Sequence, residues 1–188
     1  MDGVHVWPSD VVTPRLLLRL WHPDDAPALH DAITASLEHL RPWMVWVRFE
    51  PLSRDDRIGF IEAGRRAHEG GGDANYGVRV DGEVVGGCGL HRRQGPGVVD
   101  LGYWIHVDHI GRGYATELSR ALTTVAFGDP DTERVEIHHD RANRRSAGVP
   151  RSLGFRRGPE RPDGIDSPGE DGIDCTWWID RAGWTGDG

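Results

Sequence analysis

Hydrophobic positions along this chain switch between two periods, and the switches mark its elements. Arg15-Leu16-Leu17-Leu18-Arg19-Leu20 is a short apolar run bounded by polar residues, which predicts a first strand. Pro23-Asp24-Asp25 then opens a helix, with acidic residues in the first turn where the helix dipole favours them. Leu29, Ile33, Leu37 and Leu40 follow at helical spacing, and Arg41-Pro42-Trp43 ends the segment. Ser53 caps a second helix whose apolar face carries Ile58, Ile61 and the neighbouring Phe60. Period two takes over at Tyr76, Val78 and Val80, followed by Asp81-Gly82, a strong hairpin turn. Glu83 to Leu90 forms the return arm, Gln94-Gly95-Pro96-Gly97 a further turn, and Val98 to Val107 the next strand. Gly113 to Phe127 reads as a helix, with Ala115, Leu118, Leu122 and Val125 on one side. Arg134 to His139 is a strand, Asn143 to Leu153 a helix and Cys175 to Ile179 a last strand. Pro150 has no N–H for the carbonyl of Ser146, so a kink or a short helix is expected there. The stretch 158–172, rich in Gly, Pro, Asp and Glu, is expected to be a long mobile loop.

This order predicts an α+β fold in one domain spanning 1–188, with no repeat and no linker. The meander from 76 to 107 pairs antiparallel. Strand 98–107, helix 113–127 and strand 134–139 form one crossover with parallel pairing, and helices cover both faces of the mixed sheet.

Composition narrows the setting. Hydrophobic residues make up 37% and charged residues 28% of 188 positions, a balance that fits a soluble globular domain. No apolar run reaches the roughly 20 residues that span a bilayer. The opening Met1-Asp2-Gly3-Val4-His5 lacks the basic and apolar segments of a secretory signal, so a cytoplasmic protein with no membrane partner is expected. A net charge of -8 argues against non-specific nucleic-acid binding, which needs a basic surface. Cys88 and Cys175 lie in apolar, strand-like stretches and are expected as buried, reduced thiols. No CxxC pair is present, and adjacent His138 and His139 point to opposite faces of a strand, so no metal site is expected.

The most informative segment runs from Trp104 to Thr116, where a strand ends, a turn holds Gly111 and Gly113, and a helix begins. Glycine lets a backbone approach a ligand without an intervening Cβ. The first N–H groups of a helix lack internal partners and, with the helix dipole, favour an anion such as a pyrophosphate. Arg112 adds a positive charge. Gly-x-Gly before a helix is a weak signal alone, since a glycine turn also serves simply to join strand to helix. The P-loop pattern is absent, and Thr116 stands where a dinucleotide-binding turn would carry its third glycine.

Ile110-Gly111-Arg112-Gly113-Tyr114-Ala115 resembles the acetyl-CoA signature of the GNAT superfamily of N-acetyltransferases, Gln/Arg-x-x-Gly-x-Gly/Ala. Asp100-Leu101-Gly102-Tyr103-Trp104-Ile105 resembles the preceding strand in the RimJ/RimL-like branch. Asn143-Arg144-Arg145-Ser146 with Leu153-Gly154-Phe155, Thr13-Pro14-Arg15-Leu16-Leu17-Leu18-Arg19 and Pro42-Trp43-Met44 resemble further motifs of that branch, in the same order. The resemblance covers roughly 13–181. It implies a GNAT fold: a mixed, mostly antiparallel sheet of about six or seven strands with about four helices, splayed between strands 98–107 and 134–139 to admit the pantetheine arm of acetyl-CoA or another acyl-CoA. It also implies that Ile105, His106 and Val107 flank pantetheine, the first and last through main-chain groups. Gly111, Arg112, Gly113, Tyr114, Ala115 and Thr116 would surround the pyrophosphate, with Asn143 and Ser146 near the thioester. Ile110 departs from the signature and removes one side-chain donor or charge.

The implied reaction is direct attack of a primary amine on the thioester. The acceptor is a protein N-terminal amine or a small-molecule amine, and a homodimer is compatible with the sequence. The alternative is a non-catalytic CoA-binding sensor or scaffold. Period-two alternation sets Asp100 on the face of strand 98–107 opposite Val99, Leu101, Tyr103, Ile105 and Val107, where the branch often carries a Glu. Asp100 is therefore the expected base, with Glu136 and His138 next in line. Ser146 is the expected proton donor to the leaving thiolate. Trp43 and Trp46 are the expected walls of the acceptor pocket.

Overall fold

The computed structural model describes residues 5–186; the opening Met1–Val4 and the last two residues lie outside it. Strands β1 (Asp10–Val12) and β2 (Leu17–Leu20) come first, then helices α1 (Ala26–Leu40) and α2 (Arg54–Glu69). The meander is β3 (Ala74–Val80), β4 (Glu83–His91) and β5 (Val98–Ile105). Helix α3 (Tyr114–Gly128), β6 (Arg134–Asp140), α4 (Gly148–Ser152), β7 (Arg156–Pro162) and β8 (Ile173–Asp180) complete the chain. The eight strands form one sheet in the order β1-β2-β3-β4-β5-β6-β8-β7. Every neighbouring pair is antiparallel except β5 and β6.

Local chemistry sets these boundaries. The β3–β4 hairpin turns on Asp81 and Gly82 at φ 49° and 86°, the two positive values that a tight two-residue hairpin requires. Ser53 accepts a hydrogen bond from the Asp56 N–H and caps α2 as expected. One sheet face packs under α3, where Leu118, Leu122 and Ala126 join Val99, Leu101, Val135 and Ile137 in the main core. The other face carries α1 and α2, where Leu29, Ile33 and Ile61 cluster with Trp21 and Val84. In the wall of this second layer, Arg57 and Glu50 form a buried bidentate pair at 2.9 Å.

The parallel pairing of β5 and β6 is short. It joins Val98, Val99 and Asp100 to Arg134, Val135 and Glu136, and then the strands part. The His106 N–H donates to the Val85 carbonyl on the β4 side. Main-chain groups alternate along a strand, so those of Tyr103 and Ile105 face the opposite way, into the gap beside β6. The sheet is therefore split at its centre.

Two expectations at the C-terminal end change. The stretch 158–172 is not all loop, because 158–162 belong to edge strand β7. Its sequence, Arg156-Arg157-Gly158-Pro159-Glu160-Arg161-Pro162, combines charges and prolines, which suit an exposed edge and hide the strand from composition. Its register shifts between Arg157 and Glu160, around the proline that cannot donate. The remaining 163–172 is tied down: the Asp140 carboxylate accepts from the N–H groups of Asp171, Gly172 and Ile173, and Gly169 N–H donates to the Pro42 carbonyl. The expected helix 143–153 shrinks to Gly148–Ser152, preceded by a turn, in keeping with Pro150. With β1 and β7 the sheet has eight strands instead of six or seven. Cys88 and Cys175 are free and buried. Among the described residues, no helix is long and apolar enough to cross a membrane.

Candidate active site

The split in the sheet opens a groove of about 730 Å³. Gly111, Gly113, Tyr114, Ala115 and Thr116 line one end, Tyr103 and Ile105 the strand, and Asn143 and Ser146 the far wall. Gly113 caps α3 in the left-handed conformation, φ 80°, and Gly111 has φ 75° with open space where a Cβ would stand. The first helical bond of α3 runs from the Glu117 N–H to the Gly113 carbonyl. The N–H groups of Tyr114, Ala115 and Thr116 consequently have no helical acceptor. An anion fits this end, held by backbone donors and the helix dipole.

The loop is braced from the turn between β1 and β2. Glu117 accepts hydrogen bonds from the Thr13 hydroxyl (2.6 Å), the Arg15 N–H (2.9 Å) and Arg15 Nε (2.6 Å). Burial opposes the charge of Glu117, but these donors outweigh it and hold the carboxyl below its ordinary range. Arg15 also donates from Nη1 to the Arg112 carbonyl and lies over the Tyr114 ring. This knot gives Thr13-Pro14-Arg15 a physical role that periodicity did not reveal, and it sets a second cation beside the turn where Ile110 supplies none. Arg112 itself lies outside the groove lining and donates back to the Asp108 carbonyl.

Not every expected residue converges here. Val107 and His106 lie off the groove: the Val107 N–H donates to the Ser36 hydroxyl (3.1 Å), and the His106 ring accepts from the Asp108 N–H. The main-chain donor expected from Val107 is thus already engaged. Asn143 Oδ1 accepts from the Ser146 N–H (3.2 Å), so Asn143 is the cap of the turn that presents Ser146. Ser146 Oγ lies 3.2 Å from the Tyr103 hydroxyl. Burial pushes the Tyr103 phenol up to about 12, so it stays protonated. Alternation groups Tyr103 with the apolar face of its strand, and no sequence pattern points to its hydroxyl partner. Arg144 and Arg145 also line the groove, two cations that the Asn-x-x-Ser motif concealed.

A second cavity, about 560 Å³, lies under α1 and α2 and shares Met44, Tyr103 and Trp104 with the groove. Trp46 lines it, tilted against Trp104 at 6.4 Å, whereas Trp43 lines the groove instead. Phe49 and Phe60 are exposed apolar residues of its wall, and Asp100 reaches its floor. That floor is cut low by Gly87, Gly89 and Gly102. A Cβ on Gly87 would fall 2.5 Å from Trp104 Nε1.

Asp100 sits between cross-strand neighbours His91 on β4 and Glu136 on β6. Burial raises its pKa, and the nearby His138, His91 and Arg93 offset this only in part, while Glu136 adds to it. His138 lies 3.1 Å from Glu136 and 3.3 Å from Asp174. Burial disfavours its charge, but those carboxylates and Asp100 prevail and push it up to about 10. His138 is thus held as the imidazolium between Glu136 and Asp174.

Residues 15–156 match the acetyltransferase (GNAT) domain family. The chain is 30% identical over 156 residues to the protein named "Putative ribosomal N-acetyltransferase YdaF" from Bacillus subtilis (strain 168), which covers 82% of this chain and 85% of that one. A crystal structure described as "Probable acetyltransferase" superimposes with a TM-score of 0.84 at 27% identity, over 97% of this chain and 100% of that one. The RimL ribosomal L7/L12 alpha-N-protein acetyltransferase in complex with coenzyme A has the same fold, with a TM-score of 0.83 at 19% identity over 97% and 100% of the two chains. The family match takes in the split sheet, the glycine turn and the Asn143–Ser146 turn alike, and this chain belongs to the GNAT acetyltransferases.

Proposed function

We propose that this protein transfers an acetyl group from acetyl-CoA to a primary amine in a ternary complex, and that the amine is the N-terminal α-amino group of a protein. The observation that carries the reading is the meeting of two cavities at Tyr103 and Trp104. One has free helix N–H groups at its end and suits a pyrophosphate-bearing donor; the other has apolar walls and a carboxylate floor and suits an amine. The donor is supported by the structures of RimL with coenzyme A and of the microcin C7 self-immunity acetyltransferase MccE with acetyl-CoA and AMP. The acceptor class is supported by the names of YdaF and RimL.

In this reading the N–H groups of Tyr114, Ala115 and Thr116 hold the pyrophosphate, with Arg15, Arg144 and Arg145 contributing charge. The free main-chain groups of Tyr103 and Ile105 align the pantetheine arm. Asp100 is the carboxylate that meets the acceptor ammonium. The Ser146 and Tyr103 hydroxyls stand on the groove side, where the thiolate leaves, and supply its proton.

Calorimetric titration with acetyl-CoA, beside ATP as control, tests the donor. Thiol release over a panel of N-terminal peptides, lysine side-chain analogues and polyamines tests the acceptor. Micromolar acetyl-CoA binding with turnover on peptides is expected. Tight binding without turnover on any amine would favour a CoA-binding scaffold, turnover confined to polyamines would move the acceptor to small molecules, and no binding would overturn the reading.

A further inference from the structure

His91 ends β4 on the face that floors the acceptor cavity, beside its cross-strand partner Asp100. Its Nδ1 lies 3.0 Å from Asp73 Oδ2. Asp73 is itself fixed, accepting from the Arg92 N–H (3.0 Å) and from Arg93 Nε (2.8 Å). Burial opposes the charge on Asp73, but these hydrogen bonds and His91 outweigh it and hold the carboxyl below its ordinary range. An ionised carboxylate only accepts, so Nδ1 carries the proton and a neutral ring keeps its lone pair on Nε2.

The sheet beneath the ring fixes where that lone pair stands. A Cβ on Gly89 would fall 2.8 Å from His91 Nε2, and one on Gly102 would fall 3.7 Å from the same atom. Nε2 thus lies over two glycines, in the wall of the acceptor cavity, one residue along β5 from Tyr103, where that cavity meets the groove. The other charged groups facing this space are Asp100 on β5, Arg93 just past β4, and the Glu50–Arg57 pair, which is closed on itself. An orienting carboxylate, an imidazole in one tautomer and a free nitrogen facing the acceptor together make a general base.

We propose that His91, held by Asp73, is the base that takes the proton from the acceptor ammonium, and that Asp100 holds that ammonium beside it. This rests on the amine acetyltransferase reading and moves the base from Asp100 to His91. The ammonium proton passes to Nε2. The neutral amine then attacks the thioester carbon, the C–N bond forms and the C–S bond breaks. Of the two protons still on the nitrogen, one stays as the amide N–H and the other passes to the departing thiolate through the Ser146 and Tyr103 hydroxyls, and His91 releases its proton to solvent. Asp73 acts through His91 and is a positioning residue.

The test combines kinetics with a tautomer measurement on the full-length protein. His91→Ala and His91→Gln should each lower kcat on an N-terminal peptide by about a hundredfold, the low end for a lost general base. The KM for acetyl-CoA should stay within about twofold, since His91 lies outside the groove. Added imidazole should restore part of the activity of His91→Ala, and acceptors of low basicity should suffer least. Asp73→Asn should lower kcat by more than about tenfold through loss of the tautomer. The ¹⁵N shifts of the wild-type ring should place the neutral-state proton on Nδ1. Full kcat in both His91 variants, or a proton on Nε2, would overturn the proposal while leaving the acetyltransferase reading intact. Wild-type protein that releases no thiol with any amine would overturn that reading itself, and the proposal with it.

Discussion

At Gly113 the backbone takes φ 80°, where a side chain is strained, and a Cβ there would approach Arg15 Nη2 to 3.4 Å. A β-branched residue would suffer most, because such a position costs it on the order of 1–3 kcal/mol and the relaxed loop would re-aim the helix N–H groups. Gly113→Val should therefore weaken acetyl-CoA binding by at least about tenfold, read by calorimetry on protein whose circular dichroism is unchanged. An unaltered Kd would place the phosphate site elsewhere. The sequence made this turn legible because glycines before a helix carry their own physical reason. It could not make Arg15 legible, because the contacts of Arg15 lie about a hundred residues away, at Arg112 and Glu117. His91 was hidden in a similar way, since its partner Asp73 stands across the open end of the β3–β4 hairpin, on the far side of the turn in the chain. The expectation of Asp100 as base rests on alternation and on the family resemblance, which sort faces and positions but not neighbours.

Among the elements, β6 carries the clearest consequence of strand pairing. His138 stands between Glu136 on its own strand and Asp174 on β8, and its pKa is raised from 6.5 to about 10. A histidine that binds its proton more tightly when folded stabilises the fold fully below its unfolded value, and that contribution is lost as pH rises through the folded value. Stability should thus decline between about pH 6.5 and pH 10 in the wild type, and His138→Gln should remove much of that slope. Urea midpoints of the two proteins across this range provide the check; parallel profiles would exclude the ion cluster as the cause. Amphipathic α1, α2 and α3 and the meander were readable from period alone. β7 was not, because an edge strand needs no apolar face and its pairing with β8 is the only thing that makes it a strand. The shortening of α4 was foreseeable from Pro150, since a missing N–H is a property of one residue.

For the whole molecule, the decisive feature is the contact between two cavities on either side of Tyr103 and Trp104. In the proposed reaction donor and acceptor occupy one cavity each, and Cys88, although it lines the cavity under α1 and α2, is buried with its thiol pushed up, which makes it a poor carrier of an acyl group. Initial-rate kinetics should accordingly give intersecting double-reciprocal lines, the mark of a ternary complex. Parallel lines, together with an acetylated enzyme seen by mass spectrometry, would point to a covalent intermediate.

The sequence by itself determined the periods of the helices and of the meander, the hairpin at Asp81-Gly82, the glycine turn before α3 and, through motifs in order, the family. Each is carried by residues close together in the chain, so local sterics, hydrogen bonding and face alternation suffice to specify it. Tertiary structure alone decided where β5 and β6 part, that Trp46 lines the cavity under α1 and α2 while Trp43 lines the groove, that the Val107 N–H belongs to Ser36, and that His91 and Asp73 meet. Those outcomes depend on which distant segments the sheet and the packed helices bring within hydrogen-bond reach, and chain periodicity carries no record of that distance.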